Sequence, residues 1–410
     1  MNSLRKVWRS ISKYGVRAGI QDALARWLKS QPGVQGNVLE HYGFLLRGNQ
    51  PEALPGVGSG PLKINWLVPT INDKGSGGLS NIFRAIQQLE GWGHQQRVYV
   101  FGATRNDDRL REFVHQHYAP ISSEIVQFQG QVEDSDALVA TAWNTAYIAR
   151  GLGNTVRKFY FVQDLEHLFY APGSLHLFAR QTYTWGFYGI TLGQWIADVL
   201  GAEFGMECSA FGFSHDHDVY RPVGSRIVPR GRQRVLFYAR PSTERRGFEL
   251  GMLALSLVAH KRPNTEFVLI GFDPPAIDLP FPATLPGVLS PAELANLYQQ
   301  CDVALVLSHT NLSLLPLELM ASGCPVVSNS GPNVEWLLTH ESAQLVDATP
   351  KALAEGVLAL LGDETLRLKK VEAGLAIARK ADWVSAVRMI ESAFYRGLGI
   401  SSRDEAKLQV

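Results

Sequence analysis

The seventeen residues SLLPLELMASGCPVVSN, from Ser313 to Asn329, join one acidic side chain to a turn of backbone sized for a phosphate. Glu318 is that acid. A helix is predicted over about Leu315 to Ser322. Pro316 is tolerated in its first turn, where a missing N–H costs nothing, and Gly323 ends it. The apolar run DVALVLS (302–308) before it and CPVVSN after it read as parallel strands. In such a strand-loop-helix unit the amides of Ser313, Leu314 and Leu315 point beyond the strand ends. They suit a phosphate, and a carboxylate one turn in suits ribose hydroxyls. That pattern describes a site for a nucleoside diphosphate.

Three other places could do chemistry. KFYFVQDLE (158–166) reads as a strand ending in acids, which puts Asp164 and Glu166 at a carboxyl edge, where open α/β sheets bind ligands. An acid there can orient or deprotonate a hydroxyl, or face a reacting carbon; it can equally be the cap of the next helix. Gly75, Gly77 and Gly78 stand in the loop that opens NDKGSGGLSNIFRAIQQLEGWGH (72–94), and let backbone approach a ligand closely at a helix start. That string is not G-x-G-x-x-G, which argues against a dehydrogenase, and a plain β-to-α turn is the alternative. Arg240 and Arg245 flank the loop STERRG, where they can meet an anion or pair with Glu244 or Glu249 on a solvated face.

The elements that must position these residues alternate through both halves of the chain. KINWLVPT, RVYVFG, ALVATA, KFYFVQ, RQRVLFYARP and EFVLIG read as buried strands, and the segments between several of them as helices. Ser290 with Glu293 is a capping box that needs no function. Such alternation predicts doubly wound parallel sheets, and 410 residues make two domains the natural expectation. We place an N-terminal extension with an irregular, Gly- and Pro-rich connector at 1–60, a first Rossmann-like domain at 61–225, a second at 226–380 and a closing helix at 381–410.

Two strings then carry a resemblance. LLPLELMASGCPVV and YARPSTERRGFELG (238–251) resemble the donor-binding signature of retaining-type glycosyltransferases of the GT-B fold, in which two Rossmann-like domains face a cleft. YFVQDLEHLFYAPGSLHLFARQTYTWGFYGIT (160–191) and FGFSHDHDVYRP (211–222) are similar to bacterial rhamnosyltransferases that build cell-surface polysaccharides from dTDP-L-rhamnose. The resemblance runs from about Leu62 onward. It implies transfer of L-rhamnose from a nucleotide-sugar donor to a saccharide or lipid-linked glycan acceptor. Arg240 and Arg245 would then grip the donor diphosphate, Arg245 standing where the wider family has Lys, with Arg246 as an adjacent alternative. Asp164, in the string VQD-x-E, becomes the catalytic candidate, Gly77 and Gly78 join the donor site, and the closing helix is expected to pack back on the first domain. One departure stands out: where the wider family has the first acid of E-x7-E, this chain has Thr310, and Glu318 is the second.

Composition narrows the partners. A net charge of +1 with a pI near 7.8 leaves no cationic excess to neutralise nucleic-acid phosphates. Cys208, Cys301 and Cys324 are too few and too scattered for a disulfide framework or a zinc site, which suits a reduced cytoplasm. No cofactor beyond the donor and no metal is expected. Asp216 and Asp218 have the D-x-D spacing and alternate with His215 and His217, but they sit in a string that resembles an interdomain turn. Residues 1–30 set seven Lys and Arg against Asp22 alone, with apolar residues at helical spacing. No apolar run there reaches the roughly 18 residues of a spanning helix. The segment is read as docking peripherally on the anionic inner face of the cytoplasmic membrane or as packing on a neighbouring domain. A homodimer is left open. The rival functions are a nucleotide-sugar epimerase of GT-B fold and a non-catalytic polysaccharide-assembly scaffold.

Overall fold

The computed structural model describes residues 38–46, 51–56, 60–71, 76–102, 104–222, 232–271 and 279–401. The basic segment 1–30 lies outside them. Residues 1–50 form a unit of their own. Within the expected irregular connector, this unit contains a helix, Val38–Tyr42, and a 3-10 turn, Gly43–Leu46. Glu40 in the first turn and His41 in the last match the dipole of that short helix.

The second unit, from Pro51 onward, contains two parallel sheets. The first sheet comprises β1 (Lys63–Val68), β2 (Gln95–Val100), β3 (Glu124–Gln127), β4 (Ser135–Ala140), β5 (Thr155–Val162), β6 (Tyr188–Leu192) and β7 (Cys208–Phe211). Its order is β3-β2-β1-β4-β5-β6-β7. The second holds β8 (Arg234–Tyr238), β9 (Glu266–Ile270), β10 (Ala283–Thr284), β11 (Val303–Leu305), β12 (Val326–Asn329) and β13 (Ala343–Val346), in the order β10-β9-β8-β11-β12-β13. Both sheets therefore reverse direction of winding once, between β1 and β4 and between β8 and β11. A doubly wound sheet opens a crevice at the carboxyl ends of the strands on either side of that reversal, because the flanking helices diverge there.

Burial explains the strand composition. β6 and β12 are buried throughout and β1 everywhere but at Lys63, because helices cover both faces of each sheet. One hydrophobic core runs from Trp66, Phe83 and Phe159 in the first domain to Leu319 and Val326 in the second. Phe213 stacks on Trp336 at 5.4 Å in that core. A second core around Phe237, Leu255 and Val357 fills the other face of the second sheet.

The helix Trp383–Leu398 is capped by Asp382, whose carboxylate accepts from Val384 and Ser385, and it stops at Gly399 with φ +69. It packs against β5, β6, β7 and the helix Gly77–Gly91 of the first domain. Phe394 meets Phe159 at 5.0 Å, and Glu391 lies 2.9 Å from His94. Gly397 presses on the Phe159 ring so closely that a Cβ would come within 2.4 Å of it. Just before this helix the Ala381 carbonyl accepts from His217 Nε2 at 2.7 Å. No helix among the described residues is long and apolar enough to cross a membrane.

Candidate active site in the cleft between the two sheets

A cleft of about 680 Å³ lies at the carboxyl ends of both sheets. Its walls come from segments that follow β1 (Ser76, Gly77, Gly78), β4 (Thr141), β5 (Gln163, Asp164, Glu166), β8 (Arg240, Arg245, Arg246) and β11 (Leu312, Ser313, Leu314). These include both segments at each reversal point. Of the expected site residues, Gly77, Gly78, Asp164, Arg240, Arg245, Ser313 and Leu314 are brought together here. Leu315 and Glu318 are not part of this lining.

Asp164 sits two residues beyond the end of β5, and its carboxylate is engaged on both oxygens. Oδ1 accepts from the backbone of Leu165 at 2.8 Å and of Asn311 at 2.9 Å. Oδ2 accepts from the Thr310 hydroxyl at 2.8 Å and lies 3.6 Å from Arg245 Nε. Burial raises its pKa, opposed chiefly by the nearby charge of Arg246 and the Asn311 N–H. The aspartate is thus a tie from the first domain to the loop after β11. Thr310 now has a physical role: a glutamate there would set a second carboxylate against Asp164 in a buried place, where like charges are strongly disfavoured.

Asn311, fully buried, is the centre of that tie. Its side-chain amide donates to the carbonyls of Gln163 and Leu192, both at 2.9 Å. Its side-chain oxygen accepts from Trp336 Nε1 at 2.9 Å, and its carbonyl accepts from Arg246 and Ser308. Every polar group of this residue is used, which is what lets an amide be buried without a solvation penalty. Sequence reasoning missed Asn311, because a lone Asn in a loop carries no periodicity and its first-domain partners lie 119 to 148 residues away.

The three arginines divide. Arg246 is 9% exposed, and it donates to the Ser308 hydroxyl at 2.5 Å and the Asn311 carbonyl at 3.0 Å. Arg245 keeps its guanidinium 3.9 Å over the Phe169 ring, and its Nε makes no hydrogen bond within the described residues. The Arg240 guanidinium lies 6.0 Å over the Tyr238 ring. Arg246 therefore holds the fold of the loop, and Arg245 is the cation with donors to offer a ligand.

Opposite, Ser76 caps the helix Gly77–Gly91. The Gln163 amide donates to the Gly78 carbonyl at 3.0 Å and accepts from Asn81 at 2.8 Å. A Cβ at Gly78 would stand 3.3 Å from that amide, so the approach of β5 to this helix favours glycine. Gly75 lies outside the described residues. The Asn81 side-chain oxygen and the Ser313 hydroxyl are buried without a hydrogen-bond partner among the described residues, and both residues line the cleft. Buried polar atoms without partners are rare in folded proteins and mark places where a ligand can bind.

Two carboxyls are held toward the neutral form. Burial pushes the Glu166 pKa up to about 8; the charge of Asp164 adds to this, while Trp143 N–H, Tyr160 and Arg245 oppose it. Burial likewise raises Glu318 to about 7, against a hydrogen bond from Tyr220 and the charge of Arg84. Tyr220 in turn stacks on Tyr298 at 6.1 Å. His215 and His217 have ring centroids 4.1 Å apart, yet no cluster of three or more His, Cys, Asp or Glu among the described residues could hold a metal ion.

Comparison with known proteins follows the same division. Residues 63–192 match the family model "WsaF, N-terminal domain" and residues 233–358 match "WsaF, C-terminal domain". The O-antigen biosynthesis protein RfbC of Myxococcus xanthus is 40% identical over 234 residues. That match spans 56% of this chain but only 18% of the relative. Among solved structures, Anabaena Alr3699/HepE in complex with UDP-glucose is 17% identical and superposes with a TM-score of 0.59 over 82% of this chain and 99% of its own. A TarM variant from S. aureus, in a complex that includes UDP, is 10% identical with a TM-score of 0.63 over 81% and 99%. WaaG, a glycosyltransferase involved in lipopolysaccharide biosynthesis, is 15% identical with a TM-score of 0.58 over 81% and 99%. The chain is a protein of the GT-B fold whose two domains match those of WsaF in their order.

Proposed function

We propose that this protein is a retaining-type glycosyltransferase that moves L-rhamnose from dTDP-L-rhamnose onto a growing cell-surface polysaccharide or lipid-linked glycan. The observation that carries the transferase reading is the set of polar atoms without a hydrogen-bond partner among the described residues, Arg245 Nε, Ser313 Oγ and Asn81 Oδ1, brought to one cleft from both domains. A donor diphosphate lies against Arg240, Arg245 and the Ser313–Leu314 backbone, and Gly77 and Gly78 let the first domain close over it. Cleavage of the bond between C1 and the β-phosphate oxygen builds negative charge on the leaving group, which these cations stabilise where water is excluded. Glu318, beside Tyr220, takes the ribose hydroxyls. Asp164 acts through Thr310 and Asn311 as the residue that sets the height of one wall against the other.

The rhamnose assignment rests on the resemblance of 160–191 and 211–222 to bacterial rhamnosyltransferases, and the acceptor class on the relative's part in O-antigen biosynthesis. The enzyme needs no cofactor besides its donor. It acts in the cytoplasm, at the inner membrane face when residues 1–30 bind anionic lipid. Vesicle binding that survives deletion of those residues would remove the membrane part. The test of the main reading is a thermal-shift screen of dTDP, UDP and GDP, followed by turnover of dTDP-L-rhamnose and UDP-glucose. Stabilisation grows as RT ln(1 + [L]/Kd), so dTDP should give the largest rise in Tm. Transfer from UDP-glucose alone would overturn the rhamnose assignment. Release of free sugar with an inverted ring carbon would favour an epimerase, and no nucleotide binding at all a scaffold.

A further inference from the structure

We infer that Glu166, and not Asp164, is the catalytic residue that receives the proton of the acceptor hydroxyl. The inference rests on the glycosyl-transfer reading and concerns a residue of the same cleft.

The two acids leave β5 together, yet the fold treats them differently. Asp164 accepts three hydrogen bonds from Leu165, Asn311 and Thr310, shared over both oxygens, and faces Arg245 with the second. A carboxylate so occupied has little capacity left for a substrate proton. Glu166 receives one firm hydrogen bond, from Trp143 N–H to Oε2 at 2.8 Å. Its Oε1 has only the Tyr160 hydroxyl at 3.5 Å, the outer limit of such a bond. The residue lines the cleft. Its own N–H donates to the Tyr183 hydroxyl at 2.9 Å, which fixes where the side chain leaves the backbone.

Phe169, which also lines the cleft, is the last residue of the 3-10 turn that Glu166 begins. The Arg245 guanidinium lies on that ring. Arg245 and Glu166 therefore line the same cleft from opposite domains, near enough for the charge of the arginine to bear on the carboxyl. The charged and titrating groups that face Glu166 are Asp164, Tyr160, Tyr183 and Arg245. Burial holds the Glu166 pKa at about 8, in the range where a general base is most effective near neutral pH. In the step, the acceptor oxygen bonds to C1 of the sugar as the bond from C1 to the phosphate oxygen breaks. The bonding pair leaves with the nucleoside diphosphate, and the hydroxyl proton passes to Glu166 Oε1.

The experiment compares the full-length protein with Glu166→Gln, Glu166→Asp and Asp164→Asn. dTDP release from dTDP-L-rhamnose is followed with octyl α-L-rhamnoside and with water as acceptor, over about pH 6 to 9.5. Calorimetry with dTDP measures donor-site affinity separately. The wild-type rate should rise with pH through about 8 and then level. Glu166→Gln should lower transfer about 100-fold or more, lose the rising limb and keep dTDP affinity within about twofold. Glu166→Asp should keep the limb at a reduced rate, which guards against a misfolded glutamine variant. Asp164→Asn should lower Tm and keep the limb. The inference is overturned if Glu166→Gln stays within tenfold of wild type, if its rising limb persists, or if dTDP affinity falls in step with the rate. A wild-type protein that binds dTDP yet turns over neither dTDP-L-rhamnose nor UDP-glucose would remove the transfer reading, and this inference with it.

Discussion

The two walls of the cleft carry opposite charge but share one arrangement. The first-domain wall presents Asp164 and Glu166, and the second presents Arg240, Arg245 and Arg246. On each wall one side chain is committed to structure, and another one or two residues away is left toward the cleft. Asp164 is sealed by Thr310 and Asn311, while Glu166 Oε1 has only the 3.5 Å contact from the Tyr160 hydroxyl. Arg246 is sealed by Ser308 and Asn311, while Arg245 Nε makes no hydrogen bond among the described residues and lies 3.6 Å from Asp164. The committed pair meets at one residue, Asn311. On the proposed function, a cleft that holds a diphosphate against a carboxyl needs its walls at a fixed separation, which the sealed side chains would supply.

The sharpest break of this comparison is a pair of substitutions one residue apart. Arg245→Ala should cut transfer about 100-fold, the scale of one lost donor to a developing anion, and leave the denaturation midpoint close to wild type. Arg246→Ala should instead cost about 3 kcal/mol of stability, because it strips buried acceptors and leaves Asp164 with less compensating charge. Denaturant curves beside turnover decide it; if the two variants exchange these effects, the division of labour is wrong by one residue.

Glu318→Gln tests whether the second domain's acid, held by Tyr220, serves the ribose. Donor affinity measured with dTDP should weaken by about 1.5 to 3 kcal/mol, as loss of a charged hydrogen bond does. Unchanged affinity would return Glu318 to a packing role.

The smallest effect is on stability against pH. Glu166 has a folded pKa near 8, above its ordinary 4.5. The folded state thus binds more protons than the unfolded one between those values. Stability from this group is complete below the unfolded pKa and is lost as pH rises through the folded value. Urea unfolding should show a decline across about pH 5 to 8 that flattens in Glu166→Gln. A parallel decline in that variant would assign the slope to Glu318, raised to about 7, or to other groups.

The legible parts of the fold were those where one local rule decides. Pro316 and Gly323 bracket a helix found at Leu315–Ala321, and Gly323 has φ +77. Ser290 and Glu293 form the reciprocal capping box that their spacing implies. The run DVALVLS is buried throughout, yet only Val303–Leu305 pairs as a strand, because burial and ladder pairing are separate demands on the same residues. β3, β6, β7, β10 and β13 were not read from the sequence. In the cleft, residue types were legible and commitments were not. Nothing local distinguishes Arg245 from Arg246 or Asp164 from Glu166, since what separates them is the loop after β11. Thr310 read as a lost acid, and only the fold supplies the carboxylate it serves.

The chain passes between the domains twice, after Phe213 and again at Ala381, and the bond from His217 to the Ala381 carbonyl holds the two passages side by side. Relative movement of the two domains would have to carry these two passages together or break that bond, and it would also have to part Asp164 from Thr310 and Asn311.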